Sequence, residues 1–198
     1  KVYSWNTVGA ILGATLAAFF LIPLLKYEGA IKVAVLLNAL LALCAAALLG
    51  NRNKAVTLSV LTFTLAVIFV YQPKMPESIL RSSPVFAQPN GEIRFYEVGR
   101  SATVLVIEES GYLNLRTNGL PEASTSLKGA PPYIHNQRML STMPVLARPD
   151  TDSMLIVGLG AGVALEGVPA SVSEIDVIEI ESEVVKANQY YGDERAIN

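Results

Sequence analysis

The sequence predicts an α-helical membrane region followed by an α/β region, which comprises a small antiparallel sheet and the start of a parallel sheet. Three observations predict this fold class. Long uncharged apolar runs open the chain, short runs rich in β-branched and aromatic residues occupy its middle, and a strand, a glycine-rich turn and a second strand follow. Of the 198 residues 52% are hydrophobic and only 16% are charged, a composition that one soluble core would not normally need.

Residues 1–72 are predicted to contain three transmembrane helices, at about 8–25, 33–49 and 55–71. Each run is uncharged and approaches the roughly 20 residues that cross a hydrocarbon core. Their direct succession favours a membrane bundle, because a soluble domain would interleave amphipathic helices. No ionisable Asp, Glu, Lys or Arg lies within a run, so an ion or proton relay is not supported. We therefore expect an integral, multi-pass membrane protein with membrane lipid as a partner.

Three further segments follow the helices. Residues 73–90 are rich in proline and lack a helical period, so they are interpreted as a linker. Residues 91–130 contain the runs "EIRFYEVG", "SATVLVIEE" and "GYLNLRTNG" between glycine-containing turns, which predicts a small β-hairpin domain. Residues 131–198 contain one amphipathic helix and then "SMLIV", a glycine turn, "VALEGVPAS" and "EIDVIEIE", the order of a parallel crossover unit.

The glycine turn "MLIVGLGAGV" carries the main functional signal. Gly158, Gly160 and Gly162 follow a strand, and glycines there let a ligand approach bare backbone. The dinucleotide fingerprint G-x-G-x-x-G needs glycine or alanine at position 163, which is Val163, so NAD is disfavoured. Glu179 ends the second strand about 20 residues later, where a carboxylate can accept hydrogen bonds from ribose hydroxyls. We therefore expect a nucleoside rather than a purely structural turn.

The remaining charged and metal-binding residue types exclude several functions. The net charge is −2 without a basic run, so nucleic acid is not expected as a partner. Cys44 is the single cysteine, which excludes an internal disulfide and a cysteine-cluster metal site, and no metal is predicted. His135 is the single histidine and is assigned no role. Glu181 and Glu183, which alternate after Glu179, are interpreted as a solvated face.

Longer stretches add a family resemblance. "FYEVGRSATVLVIEESGYLNLRTNG", "HNQRMLSTMPVLARPDTDSMLIVGLGAGV" and "IDVIEIESEVVKANQYY" resemble the polyamine aminopropyltransferase (spermidine synthase) family. "YSWNTVGAILGATLAAFFLIPLL" resembles the membrane portion of its transporter-like, membrane-fused members. The resemblance implies a small β domain followed by a Rossmann-like, methyltransferase-type sheet, of which residues 131–198 would be the N-terminal part. It also implies decarboxylated S-adenosylmethionine as the aminopropyl donor and a diamine such as putrescine as the acceptor.

The resemblance also assigns site residues. It implies that Gly158, Gly160 and Gly162 contact the donor, that Glu179 holds its ribose, and that Gln137 contacts the nucleoside. In the implied reaction a neutral amine attacks a carbon next to a sulfonium, so carboxylates are needed to bind the cationic diamine and to accept its proton.

The sequence also departs from the family pattern. Ala161 stands where the family commonly has an acid within the turn, and "NGLPE", with Asn118 and Glu122, stands where it usually has Asp-Gly followed by glutamine. Both ends, Lys1 and Asn198, look cut, and the adenine-clasping acidic motif and the aspartate loop with the general base are not in the sequence. We therefore expect the fragment alone not to catalyse aminopropyl transfer, and we assign no catalytic residue.

Two alternatives remain open at this stage. One is an S-adenosylmethionine-dependent methyltransferase-like protein on the same type of sheet, and the other is a non-catalytic membrane transport or scaffold protein with a nucleoside-sensing domain. In each case the metabolites favour a cytoplasmic position for the α/β region. A homo-oligomer is compatible with the sequence.

Overall fold

A computed structural model of the chain describes residues 2–48, 54–71, 74, 77–82, 90–131 and 136–194. The chain divides into two compact units, Lys1–Pro76 and Glu77–Asn198. We call them the helical unit and the α/β unit and describe each by itself.

The helical unit contains three apolar helices: α1 (Val2–Leu16), α2 (Ile22–Leu48) and α3 (Lys54–Val70). A π-helical turn, Ala17–Leu21, joins α1 directly to α2. The resulting stretch Tyr3–Leu48 is long and apolar enough to cross a membrane, and α3 is a shorter apolar helix. The prediction of an apolar helical region is thus confirmed in its coarse form.

The first two predicted helices are separated by a kink at Lys26 and not by a loop. Residues 26–32, which the sequence analysis places between them, are helical apart from Lys26. The segment has no proline and a single glycine, so little in it stops helix propagation. Lys26 alone takes up the change of direction, with φ 57° and ψ −176°, a conformation that a non-glycine residue rarely adopts.

The α/β unit begins with a one-turn helix, α4 (Glu77–Leu80), and an antiparallel four-stranded sheet. The strands follow each other in chain order: β1 (Glu92–Val98), β2 (Thr103–Glu109), β3 (Tyr112–Thr117) and β4 (Leu120–Ser126). The predicted antiparallel sheet is confirmed, although the sequence analysis did not identify β4.

Two of the turns have the backbone that tight hairpins require. Ser110 and Gly111 have φ values of 54° and 84°, and Asn118 and Gly119 have values of 50° and 81°. Positive φ at both central residues matches the right-handed twist of the flanking strands, and Asn and Gly are the residues that tolerate it best.

The rest of the α/β unit is a parallel crossover. A 3-10 turn, Asn136–Arg138, leads into the helix α5 (Met139–Ala147). The strand β5 (Ser153–Val157), the one-turn helix α6 (Val163–Glu166) and the strand β6 (Glu174–Ile178) follow, and the unit continues with the helix α7 (Ser182–Tyr191) and a 3-10 turn, Gly192–Glu194. β5 and β6 pair in parallel, as predicted, with Ser153 opposite Glu174 and Val157 opposite Ile178.

One core positions the functional residues. Its buried side chains come from β2 and β3, from the end of the glycine turn and from α7: Val104, Val106, Leu113, Leu115, Ala161, Val163, Val184 and Ala187. These contacts pack the turn and α7 onto one face of the antiparallel sheet. Residues far apart in the sequence therefore meet around the glycine turn.

Candidate functional site

The turn between β5 and α6 needs its three glycines for backbone reasons. Gly158, Gly160 and Gly162 have φ values of 89°, 52° and 73°. A Cβ added at Gly158 or Gly160 would meet no atom within 4 Å, so space is not the constraint at these two positions. Side chains are disfavoured there because L-residues rarely adopt such φ values. The turn therefore keeps an uncovered backbone beside the cavity described below.

Glu179 lies directly after β6, and its carboxylate is fixed against the glycine turn. Its Oε2 accepts a hydrogen bond from the Leu159 N–H at 2.8 Å, and its Oε1 accepts one from the Glu181 N–H at 2.9 Å. An ionised carboxylate has about four acceptor positions, so each oxygen can still accept a hydrogen bond from a ligand. The structure thus brings Glu179 and the glycine turn together.

A cavity of about 400 Å³ lies between the glycine turn and the antiparallel sheet. Four of the five residues that the sequence analysis selected line it, namely Gly158, Gly160, Glu179 and Gln137. Gly162 is not among the lining residues, because it is buried at the start of α6. The other walls come from the sheet, α5 and the start of α7, including Ser101, Leu115, Glu122, Leu140, Ile180, Glu181 and Val184.

Gln137 connects the two sides of the cavity. Its Nε2 donates a hydrogen bond to the backbone oxygen of Glu122 at 3.0 Å. The Glu122 carboxylate in turn accepts a hydrogen bond from the Thr117 hydroxyl. Gln137 is therefore held by β4, where its side chain forms part of the cavity wall.

Glu181 is a site residue that the sequence analysis misread as solvated. Only 4% of it is exposed. Its Oε2 accepts hydrogen bonds from the Ser101 N–H at 2.9 Å, the Ser101 hydroxyl at 2.8 Å and the Ala102 N–H at 3.1 Å, in the turn between β1 and β2. Burial acts to raise the pKa of Glu181, but these hydrogen bonds and one from the Glu183 N–H together lower it below its ordinary value. The carboxylate is therefore ionised and joins α7 to the sheet.

Glu183 is also not solvated, as it is only 8% exposed. Its Oε1 accepts a hydrogen bond from the Lys186 Nζ at 2.7 Å, one turn further along α7. The spacing of two residues between Glu179 and Glu181 is the sequence signal that both side chains lie on the same side of the extended segment, because alternate residues of an extended chain point the same way.

Asn188 is a further residue of the site that the sequence does not predict. Its Nδ2 donates hydrogen bonds to the Gly160 oxygen at 2.7 Å and to the Val184 oxygen at 2.9 Å. Asn188 follows Val184 by one helical turn, so it lies on the face of α7 that packs against the core. This contact holds the glycine turn from the side of α7.

Two other sequence predictions concern histidine and metals. His135 lies outside the described residues. Within the part of the chain that the structure describes, no three His, Cys, Asp or Glu side chains are grouped so that they could hold a metal ion.

Comparisons with known proteins do not identify a family. No protein-family model matches the sequence, and no curated protein matches it significantly. The fold itself defines the kind of site: a cavity beside a glycine turn, with an anchored carboxylate, between a parallel crossover and an antiparallel sheet.

Proposed function

We propose that the α/β unit binds a nucleoside of the S-adenosylmethionine type and that the protein is a membrane-anchored aminopropyltransferase resembling spermidine synthase. Its donor would be decarboxylated S-adenosylmethionine and its acceptor a diamine such as putrescine. The single observation that carries the proposal is the Glu179 carboxylate, anchored by two backbone N–H groups beside the glycine turn in the wall of one cavity. The parallel crossover would then be the first part of a Rossmann-like sheet.

The cavity has the size and the lining for a nucleoside. Its volume of about 400 Å³ lies within the range of small-molecule sites. Leu115, Leu140 and Val163 give it apolar walls, against which a flat base can pack. Glu179 provides the acceptors that a ribose needs, and a carboxylate with two free acceptor positions suits two neighbouring hydroxyl groups.

The charge of the lining favours a cationic ligand. Glu122, Glu179 and Glu181 contribute three carboxylates, and the described residues that line the cavity include no lysine or arginine. Decarboxylated S-adenosylmethionine carries a sulfonium and an ammonium group, and a diamine carries two ammonium groups, so both fit an anionic cavity. A negatively charged nucleotide would instead be repelled.

The proposed reaction transfers the aminopropyl group in one displacement. A neutral amine nitrogen attacks the carbon next to the sulfonium, a C–N bond forms, and the C–S bond breaks. The sulfur leaves as a neutral thioether, and the attacking nitrogen then loses one proton to a base. We assign this base to none of the described residues, so the proposal concerns binding of the donor first.

We propose that the helical unit anchors the protein in a membrane in more than one pass, with the α/β unit in the cytoplasm. Large apolar side chains are exposed along the helices, with Phe19, Phe63 and Phe69 at 57%, 71% and 75%. Such exposure is unfavourable in water but suits contact with lipid tails. The helical segments before and after the kink at Lys26, within the stretch Tyr3–Leu48, and the helix α3 would supply the three predicted passes.

A binding measurement tests the proposed function. We would reconstitute the full chain in nanodiscs and measure equilibrium binding of decarboxylated S-adenosylmethionine, S-adenosylmethionine and ATP. We expect the two sulfonium compounds to bind and ATP not to bind. Glu179→Gln should weaken binding about ten- to a hundredfold, because hydrogen bonds to a charged group contribute about 1.5–3 kcal/mol.

Glu174→Gln is the matched control, because Glu174 begins the same strand, is exposed and does not line the cavity. It should leave the dissociation constant unchanged. The absence of binding in the unmodified protein, or an equal effect of the two substitutions, would contradict the proposal.

A methyltransferase-like protein is a second candidate, and Ala161 favours it. Ala161 is 1% exposed and belongs to the core, so this position supplies no acid to hold the donor's amine. Transfer of a methyl group to an acceptor, in place of an aminopropyl group to putrescine, would identify this candidate. Binding without either transfer by the complete protein would favour the non-catalytic, nucleoside-sensing alternative.

A further inference from the structure

The peptide group between Gly160 and Ala161 is fixed by a side chain from outside the turn. Asn188 Nδ2 donates to the Gly160 oxygen at 2.7 Å and is itself held by the Val184 oxygen at 2.9 Å. The side-chain amide of Asn188 therefore donates its two N–H groups to two backbone carbonyls, one in the turn and one in its own helix. A shared donor of this kind ties the orientation of the turn to that of α7.

This contact determines where the Ala161 N–H points. The carbonyl and the N–H of a trans peptide group point in opposite directions. Since Asn188 draws the Gly160 carbonyl towards α7, the Ala161 N–H is directed away from that contact. Gly160 has a φ of 52°, and glycine readily adopts several backbone conformations, so the peptide group would otherwise rotate easily.

Two amides of the turn, those of Gly160 and Ala161, differ from their neighbours in their hydrogen bonding. Among the described residues, none accepts a hydrogen bond from the Gly160 or the Ala161 N–H, whereas the N–H groups of Gly158, Leu159 and Gly162 all have acceptors. Gly160 and Ala161 line the cavity. A backbone N–H that lacks an acceptor within the protein gains most from a ligand oxygen or nitrogen that accepts its hydrogen bond.

We infer that Asn188 is a positioning residue that holds the Gly160–Ala161 peptide group so that the Ala161 N–H is presented to an acceptor atom of the bound nucleoside. The inference rests on the proposed function, because it names a residue that prepares the same site. Asn188 does not line the cavity, so it acts through the turn rather than by touching the ligand.

The first measurement follows the peptide group without any ligand. The full chain in nanodiscs would be labelled with ¹³C at glycine carbonyls and ¹⁵N at alanine, so that only Gly-Ala peptide groups are observed. The Gly160–Ala161 signal is identified by its loss in Ala161→Ser. We expect the Gly160 carbonyl signal to move upfield in Asn188→Leu and Asn188→Asp, which lack the donor, and to remain in place in the control Gln189→Leu, an exposed neighbour on α7.

The second measurement is the dissociation constant of S-adenosylmethionine for the same variants. Asn188→Leu and Asn188→Asp should bind about five- to tenfold more weakly, the effect of one misdirected hydrogen bond. Asn188→His, which keeps an N–H at the δ position, should recover most of the affinity, and Gln189→Leu should match the unmodified protein.

The outcomes separate this inference from the proposed function. If the unmodified protein binds no sulfonium nucleoside, the proposed function is refuted. The proposed role of Asn188 in ligand binding is then refuted as well. A carbonyl signal that moves while affinity stays constant refutes the inference alone, because Asn188 would then be merely structural. A carbonyl signal that does not move also refutes it, because Asn188 would not hold the turn.

Discussion

The contact of Glu181 with the turn between β1 and β2 can be tested by a double-mutant cycle. Glu181→Ala removes the acceptor of the three hydrogen bonds from this turn, donated by the Ser101 N–H, the Ser101 hydroxyl and the Ala102 N–H, and also that of the bond from the Glu183 N–H. Hydrogen bonds to a charged group contribute about 1.5–3 kcal/mol each, but water can replace part of them once the side chain is truncated. We therefore expect the contact between α7 and the sheet to lose roughly 3–5 kcal/mol.

Gly99 supplies the second substitution of the cycle. A Cβ added at Gly99 would overlap the Glu181 carboxylate, so Gly99→Ala should displace this side chain and lose most of the same hydrogen bonds. In the Glu181→Ala background the space is empty, and Gly99→Ala should then cost less than about 1 kcal/mol. The two substitutions should thus be strongly non-additive, as expected for residues in direct contact.

The assay must observe the α/β unit rather than the whole protein. Trp5 is the only tryptophan and lies in the helical unit, so tryptophan fluorescence would follow the wrong unit. Hydrogen exchange measured by mass spectrometry on peptides from β1, β2 and α7 gives local opening free energies instead. Equal costs of Gly99→Ala with and without Glu181 would refute the reasoning, because the glycine would then be required for a reason other than the carboxylate.

Three further predictions concern pH, packing and the turn. The pKa of Glu181 is lower in the folded than in the unfolded protein, so the stability that its carboxylate contributes is complete above the unfolded pKa of about 4.3 and is lost as the pH falls through the folded pKa. The difference in hydrogen exchange between the unmodified protein and Glu181→Ala should therefore shrink on acidification. Gly167→Ala should destabilise the α5–α6 contact by about 2 kcal/mol or more in the same exchange assay, because the added Cβ would overlap the Arg138 backbone oxygen. In the control Gly192→Ala the added Cβ meets no atom within 4 Å, so this substitution should be neutral or slightly stabilising. Ala161→Asp should unfold or strongly destabilise the α/β unit in thermal denaturation by circular dichroism, because it buries a carboxylate in the core; unchanged stability with tighter S-adenosylmethionine binding would show instead that this side chain faces the ligand.

The parallel crossover could be predicted from the sequence because its signals are local. "SMLIV" is a short apolar run between polar residues and glycine, and the strand β5 has the same bounds. The position of Glu179 beside the turn follows from parallel pairing, which brings the ends of β5 and β6 to one edge of the sheet. The prediction of a nucleoside site depends only on these two features, the strand before the glycine turn and the parallel pairing that brings Glu179 beside it.

The residues that support the site could not be predicted in the same way. Glu181 accepts hydrogen bonds from Ser101 and Ala102, which lie about 80 positions earlier in the chain, and no local pattern reveals such a partner. From the sequence alone, alternating glutamates along an extended segment therefore predict a solvated face. Likewise β4 begins with Leu120 and Pro121 and is mostly polar, so its strand character depends on pairing with β3.

Binding in this cavity should depend on contacts that the ligand never touches. One wall is the glycine turn with Glu179, and the opposite wall is the antiparallel sheet, so the cavity exists only while the two remain packed. Glu181 fastens them through the β1–β2 turn, and Gln137 fastens them through the backbone of Glu122. A ligand that contacts both walls stabilises their packing by its binding free energy. By the same linkage, a substitution that removes either connection must lower the affinity for the ligand. The sequence positions that govern affinity therefore extend from the glycine turn to a hairpin turn in a different sheet.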